Sequence, residues 1–248
     1  MSKTALITGA TSGIGEAAAR AFAGAGWRVV ATGRRSERLK ALVDAVGADK
    51  VHALAFDVAD EAARDAALAA LPEGFRGIDL LINNAGLALG RYPFDESSEE
   101  DESVVFGTNV NGLVRITRLC LPHIRDGGHI VNMGSVAGRQ AYESGATYVT
   151  SKFAVRGFTY ALREDLLGRP IRITTVDGGL VETEFSVVRF KGDTEKAAAV
   201  YKGIDALTAE DIADCVMWAV TRPWHVNVDE IVVKARNQAS GGRILRDT

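Results

Sequence analysis

Cysteine is scarce in this 248-residue chain, which carries only Cys120 and Cys215. The two fall in separate apolar helical patterns with no CxxC spacing. That excludes a disulfide framework and reads as buried, reduced thiols of an intracellular protein. Histidine is nearly as rare: His52, His123, His129 and His225 lack metal-ligand spacing with one another or with the cysteines, so no metal is expected. No apolar run approaches the ~20 residues that cross a bilayer. The opening Met1-Ser2-Lys3, ahead of the apolar run at 4–8, is too short for a signal peptide. A cytoplasmic protein with no membrane partner is expected. The net charge of −3 includes no basic block, so no nucleic-acid partner is expected either.

Apolar residues make up 47% and charged residues 25%, the profile of a globular protein long enough for one large α/β core. The run at 4–8 leads into Gly9-Ala-Thr11-Ser12-Gly13-Ile14-Gly15. Ile14, Ala17, Ala18, Ala21, Phe22 and Ala25 then form a helical apolar stripe, and 28–32 reads as a buried strand. Strand, glycine loop, helix and strand in this order suit a dinucleotide. Glycines let the backbone approach a pyrophosphate, and the helix N-terminus stabilises its charge. Beyond the second strand, where an acid commonly binds the ribose hydroxyl of the non-phosphorylated cofactor, stand Gly33, Arg34 and Arg35. Guanidinium groups suit a phosphate dianion, which favours NADP(H). The plainer alternative is that both arginines open the solvated helix at 36–46.

The alternation continues with a strand at 51–56 ending at Asp57, a helix at 61–71, and a strand at 78–82 entering Asn83-Asn84-Ala85-Gly86. Residues 87–101 look irregular. A helix from about 102 to 125 contains Asn109-Val-Asn-Gly112, an interruption that needs a reason. A strand at 129–133 delivers Gly134 and Ser135, and a strand at 171–176 precedes Asp177-Gly178. Residues 184–207 read as a lid, Thr208 caps a helix through 220, 231–234 is the last strand, and 237–248 is a polar tail. With no repeat or linker, residues 1–248 are expected to form one α/β domain. It is a Rossmann-type, doubly wound parallel sheet of about seven strands with helices on both faces.

Tyr148 and Lys152 lie one helical turn apart, so their side chains share a face. A neighbouring ammonium favours the phenolate and draws the tyrosine toward the working pH range. Alone, the pair is more simply read as a solvated helix face.

Together these motifs resemble the short-chain dehydrogenase/reductase family over essentially the whole chain, closest to its NADP-dependent 3-hydroxy acid and serine dehydrogenase branch. The resemblance places the glycine motif at Gly9, Gly13 and Gly15 with Thr11, Ser12 and Ile14 between them. It makes Asp57 and Val58 adenine contacts and Asn84, Ala85 and Gly86 part of the cofactor site. The active-site four become Asn109, Ser135, Tyr148 and Lys152. By resemblance, Tyr148 is the general acid or base, and Lys152 lowers its pKa and holds the nicotinamide ribose. Ser135 binds the substrate oxygen, and Asn109 kinks its helix and anchors a water relay, although a locally bonded helix-interior asparagine fits the sequence too. Gly178, Val181 and Thr183 are implied at the nicotinamide. Asp177-Gly178 stands where the family usually has Pro-Gly, so Asp177 either favours the oxidised ring or faces solvent in a turn. The branch implies a small-molecule alcohol or carbonyl, most simply a 3-hydroxy or 3-oxo acid or anionic aldehyde, with Arg139 and Arg189 as candidate cations. A carbonyl reductase for bulkier neutral substrates and a non-catalytic NADP(H)-binding regulator are the alternatives. A homotetramer or homodimer is implied as well.

Overall fold

The computed structural model describes residues 2–247. Among them the strands are β1 (Thr4–Ile7), β2 (Arg28–Gly33), β3 (Val51–Ala55), β4 (Ile78–Asn83), β5 (Ile124–Met133), β6 (Ile171–Gly178) and β7 (Glu230–Val233). They form one seven-stranded sheet in the order β3-β2-β1-β4-β5-β6-β7, and every neighbouring pair is parallel. The expected doubly wound sheet is therefore present as one domain.

All four residues of β1 are buried, without the alternation of a half-exposed strand, because helices cover both faces. The side-chain period of two still divides them. Ala5 and Ile7 join a core with Phe22 of α1 (Gly13–Gly24), Leu39 of α2 (Ser36–Val46) and Val216 of α9 (Ala209–Val220). Leu6 joins the opposite core with Ile116 of α5 (Leu113–Cys120) and Leu162 of α6 (Ala146–Asp165). Between these elements lie α3 (Glu61–Ala69), α4 (Glu99–Phe106), α7 (Phe185–Arg189) and α8 (Thr194–Tyr201). Since β1 neighbours both β2 and β4, strand order reverses there, and a crevice opens at the carboxyl ends of the strands.

The two largest departures from the sequence expectation lie between β4 and β5. The helix expected over 102–125 is α4 and α5 joined by a π-helical turn, Gly107–Gly112, and β5 begins at Ile124 instead of 129. The early part of β5 is hidden in sequence by polar Arg125 and Asp126 and by Gly127 at φ 85°. Its pairing with β4 jumps from Ile78–Ile124 to Leu80–His129, a bulge that absorbs the extra residues.

The segment after β6 folds back on itself. Val181 bridges Leu207, the Ser186 and Tyr201 hydroxyls lie 2.7 Å apart, and Tyr201 donates to the Val181 carbonyl. The carboxyl-terminal tail returns through an antiparallel bridge between Gln238 and Ile244. Arg246 then donates to the Val200 carbonyl at 3.1 Å. Among the described residues no helix is long and apolar enough to cross a membrane, and no acid, histidine or cysteine cluster could hold a metal.

Candidate active site

The glycine loop is built by close approach. A Cβ on Gly15 would lie 2.3 Å from the Gly9 carbonyl oxygen and 2.4 Å from Asn84 Nδ2, so only glycine lets α1 start against the end of β4. Gly9 and Gly13 take φ of 69° and 54°, the left-handed region that disfavours a side chain. The loop is tied down by the Thr8 hydroxyl, which accepts from the Asn84 and Ala85 amides at 2.9 Å each, and by Asn84 Nδ2 donating to the Thr8 carbonyl. Ser12 gives α1 no side-chain cap, so its first-turn amides face the crevice in an arrangement suited to a pyrophosphate.

One cavity of about 420 Å³ runs along the carboxyl ends of the strands. Every residue expected to bind cofactor lines it except Gly15, whose part is the backbone approach above. At one end Arg34 pairs with Asp57 at 3.4 Å. Arg35 forks onto the Thr11 and Ser12 hydroxyls at 2.9 and 2.7 Å and pairs with Glu184 at 2.7 Å. The other oxygen of Glu184 takes Arg38 at 2.6 Å. Three guanidinium groups thus face two carboxylates, leaving a cationic rim fitted to a 2′-phosphate. Arg38 and Glu184 were not legible in sequence, because Glu184 reaches the cluster from a segment 149 residues distant from Arg35.

At the other end the structure brings Ser135, Tyr148 and Lys152 together. The Ser135 hydroxyl accepts from the Ala137 amide at 3.1 Å and donates to the Gly178 carbonyl at 3.4 Å. Lys152 donates to the Met133 carbonyl at 2.9 Å, and its nitrogen lies 5.8 Å from the centre of the Tyr148 ring. Desolvation lowers the Lys152 ammonium to about 8, opposed by the Asp177 charge. Desolvation also holds the Tyr148 phenol above its ordinary value, reinforced by the Tyr142 phenol and opposed by Ser135 and Arg189.

Asn109 is buried in the π-helical turn and does not line the cavity. Its side-chain oxygen accepts from the Leu87 amide at 2.8 Å, and its nitrogen donates to the Leu87 carbonyl and to the Ser151 hydroxyl. Ser151 in turn donates to the Tyr148 carbonyl. The interruption in the long helix therefore lets one side chain fasten the loop after Gly86 to the turn of α6 that carries Tyr148 and Lys152.

The two candidate cations separate. Arg139 does not reach the cavity: it is ion-paired with Asp177 at 2.5 Å and with Glu230. Asp177 matches neither expectation. The residue is 1% exposed and its side chain lies beneath the cavity, neither lining it nor facing solvent. Arg189 does line the cavity, with its guanidinium 5.7 Å from the centre of the Tyr148 ring. It donates to the Gly90 carbonyl and the Tyr142 hydroxyl, both at 3.0 Å. Arg91, from the irregular stretch, stands over the Tyr142 ring at 5.7 Å and also lines the cavity, as do Gln238 and Arg246 of the tail. No sequence signal marked Arg91 or the tail, since each reaches the cavity through folding of a segment without periodicity.

This geometry coincides with an extended match to known proteins. A family profile described as short chain dehydrogenase covers residues 3–194. The chain belongs to the short-chain dehydrogenase family. Within that family it is 45% identical to serine 3-dehydrogenase of Agrobacterium fabrum over 243 residues, 98% of this chain and 97% of that one. It is 47% identical to NADP-dependent 3-hydroxy acid dehydrogenase YdfG of Salmonella typhi over 240 residues, 96% of each chain. A structure described as the closed form of serine dehydrogenase complexed with NADP+ superposes with a TM-score of 0.93 at 44% identity, covering 99% of this chain and 100% of that one.

Proposed function

We propose that this short-chain dehydrogenase interconverts a small 3-hydroxy acid, or a related anionic alcohol, with its oxo acid or aldehyde. The reaction class is that of an NADP-dependent oxidoreductase acting on a CH–OH group. The substrate class rests on one observation, the placement of Arg189 over Tyr148. Its hydrogen bonds go to a carbonyl and a phenol, so its charge remains available to a substrate carboxylate or sulfonate one short step from the proton-transfer group.

When bound, NADP(H) supplies or accepts the hydride. In this reading the Gly9–Gly15 loop holds the pyrophosphate, Arg34 and Arg35 the 2′-phosphate, and Asp57 and Val58 the adenine. Val181, Thr183 and Gly178, which line the cavity, would hold the carboxamide end. Ser135 donates to the substrate oxygen, where charge develops. Tyr148 gives that oxygen its proton in reduction and removes it in oxidation. Lys152 holds the ribose hydroxyls and offers a positive charge to the phenolate as it forms. Asn109 fastens the helix that carries both. Residues 184–207 act as a lid whose base, Glu184, is tied to the phosphate-end arginines. Replacing Arg35 with Ser should raise the Kd for NADPH by roughly ten- to a hundred-fold, the loss of one or two charge-assisted hydrogen bonds. The Kd for NADH should move by less than three-fold in the same titration.

The working assembly proposed is a homodimer or homotetramer in the cytoplasm, with no nucleic-acid or membrane partner. Exposed Val104 on α4 and Phe153 and Tyr160 on α6 offer apolar surface for such pairing, and a monomer by light scattering would overturn it. The functional reading is tested by following NADPH and NADH consumption with 3-oxo acids, semialdehydes, sulfoacetaldehyde and neutral aldehydes and ketones. Preferential NADPH-dependent reduction of the anionic members is expected. Faster turnover of neutral carbonyls would replace the substrate assignment, and tight NADPH binding without any turnover would favour a regulator.

A further inference from the structure

Asp177 is a buried carboxylate with no place in the reaction described so far. Its Oδ1 accepts from the Thr175 hydroxyl at 2.8 Å, and its Oδ2 accepts from Arg139 Nε at 2.5 Å. It packs so tightly beneath Gly134 that a Cβ there would lie 1.7 Å from Oδ1. Gly134 joins Met133, whose carbonyl holds the Lys152 ammonium, to Ser135. Arg139 lies four residues beyond Ser135, at the end of the 3-10 turn Val136–Gly138, so the Asp177–Arg139 pair closes that turn from below. Glu230 of β7 takes the other side of Arg139 and is itself held by Arg156 and Tyr160 of α6. A carboxylate at the end of a central parallel strand is costly to bury unless it is paired. Here the pairing is with the loop that carries Ser135, not with solvent.

We propose that Asp177 is a positioning residue, which sets the Met133–Ser135 segment through Gly134 and Arg139 and supplies the countercharge to Lys152. The proposal rests on the reading of Tyr148 and Lys152 as the proton-transfer pair. The charged or titratable groups facing this region are Tyr148, Lys152, Arg156 and Tyr160 from α6, Arg139 and Tyr142 from the loop after Ser135, Glu230 from β7 and Arg189 from α7. Of these, Arg139 partly neutralises Asp177, and Glu230 competes for Arg139. The field of Asp177 on Lys152 is therefore a balance that two substitutions move in opposite directions. Asp177 is also the one charge that opposes the desolvation of Lys152.

The test is the pH profile of kcat/KM for carbonyl reduction. A charged Lys152 is present below its pKa and lost as pH rises through it. Asp177→Asn removes its countercharge, so the alkaline limb should move to lower pH by roughly one unit. Activity on that limb should then fall by up to about ten-fold more than at neutral pH. Arg139→Gln leaves the Asp177 charge less neutralised, so the limb should move to higher pH. A merely structural role would lower activity evenly across pH in both variants and leave the limb in place. That outcome, or shifts of the same sign, overturns the proposal. Should Asp177→Asn not fold, as judged by its thermal transition, Arg139→Gln alone decides, because Arg139 is partly exposed and outside the cavity. Tyr148→Phe is measured in parallel. If it retains activity, the reading of the pair fails; if it is inactive while the limbs stay fixed, only the role of Asp177 fails.

Discussion

Tyr148→Phe is expected to reduce kcat for carbonyl reduction by roughly 10²- to 10⁴-fold, the usual worth of a positioned proton donor. The substitution removes one oxygen and little else. The ring keeps its edge-on contact with Phe185 at a centroid distance of 5.5 Å and stays beneath Arg189. NADPH binding should therefore change by no more than a few-fold in a fluorescence titration, and the loss should fall on kcat. Activity within ten-fold of wild type would remove Tyr148 from the reaction. The raised phenol pKa adds a directional consequence. At neutral pH the hydroxyl is protonated, which is the form reduction needs and oxidation does not. Oxidation of the alcohol should rise with pH over the range where reduction is flat or falling, as read from paired initial-rate profiles. Parallel profiles in the two directions would mean that another group moves the proton.

Some of this site was legible before folding because local geometry leaves few alternatives. A Gly-x-x-x-Gly-x-Gly loop between a strand and a helix constrains the backbone itself. Its demands, two positive φ values and no room at Gly15 for a Cβ, which would lie 2.3 Å from the Gly9 carbonyl oxygen, admit almost no other residue. Tyr148 and Lys152 were readable together because helical spacing alone puts them on one face. Arg35 was readable as a cation at the crevice because it follows the second strand, and the cavity runs along the carboxyl ends of the strands. Residues that act through tertiary contacts were not. Arg139 and Arg189 look alike in sequence, both arginines in loops near the site, yet one is consumed by Asp177 and Glu230 while the other reaches the cavity. Asp177 could be judged only once Gly134 was seen lying over it. Asn109 was marked by an interruption in a helix, but its partners Leu87 and Ser151 lie 22 and 42 residues away. Arg91, Glu184 and the returning tail carry no periodic signal at all.

Arg189→Gln should be the most selective change available in this cavity. The guanidinium is held from two sides, by the Gly90 carbonyl and the Tyr142 hydroxyl, and stacks over the Tyr142 and Tyr148 rings at 5.6 and 5.7 Å. It is thus placed before substrate arrives, and little ordering entropy is lost on binding. Truncating one partner of a desolvated charge pair costs about 2–4 kcal/mol, so kcat/KM for anionic carbonyls should fall roughly 30- to 1,000-fold. Glutamine keeps a hydrogen-bond donor and similar length but no charge, so the loss reports charge recognition. Neutral aldehydes of matched size should lose less than five-fold, turning a preference for anions into indifference. Because Arg189 also opposes the raised pKa of Tyr148, a modest loss common to all substrates is expected on top of the selective one. The ratio of the two kcat/KM values separates these effects. A fall of equal size for charged and neutral carbonyls would show that Arg189 serves the phenol alone. The anion would then have to be bound by Arg91, which lines the same cavity beside the Tyr142 ring.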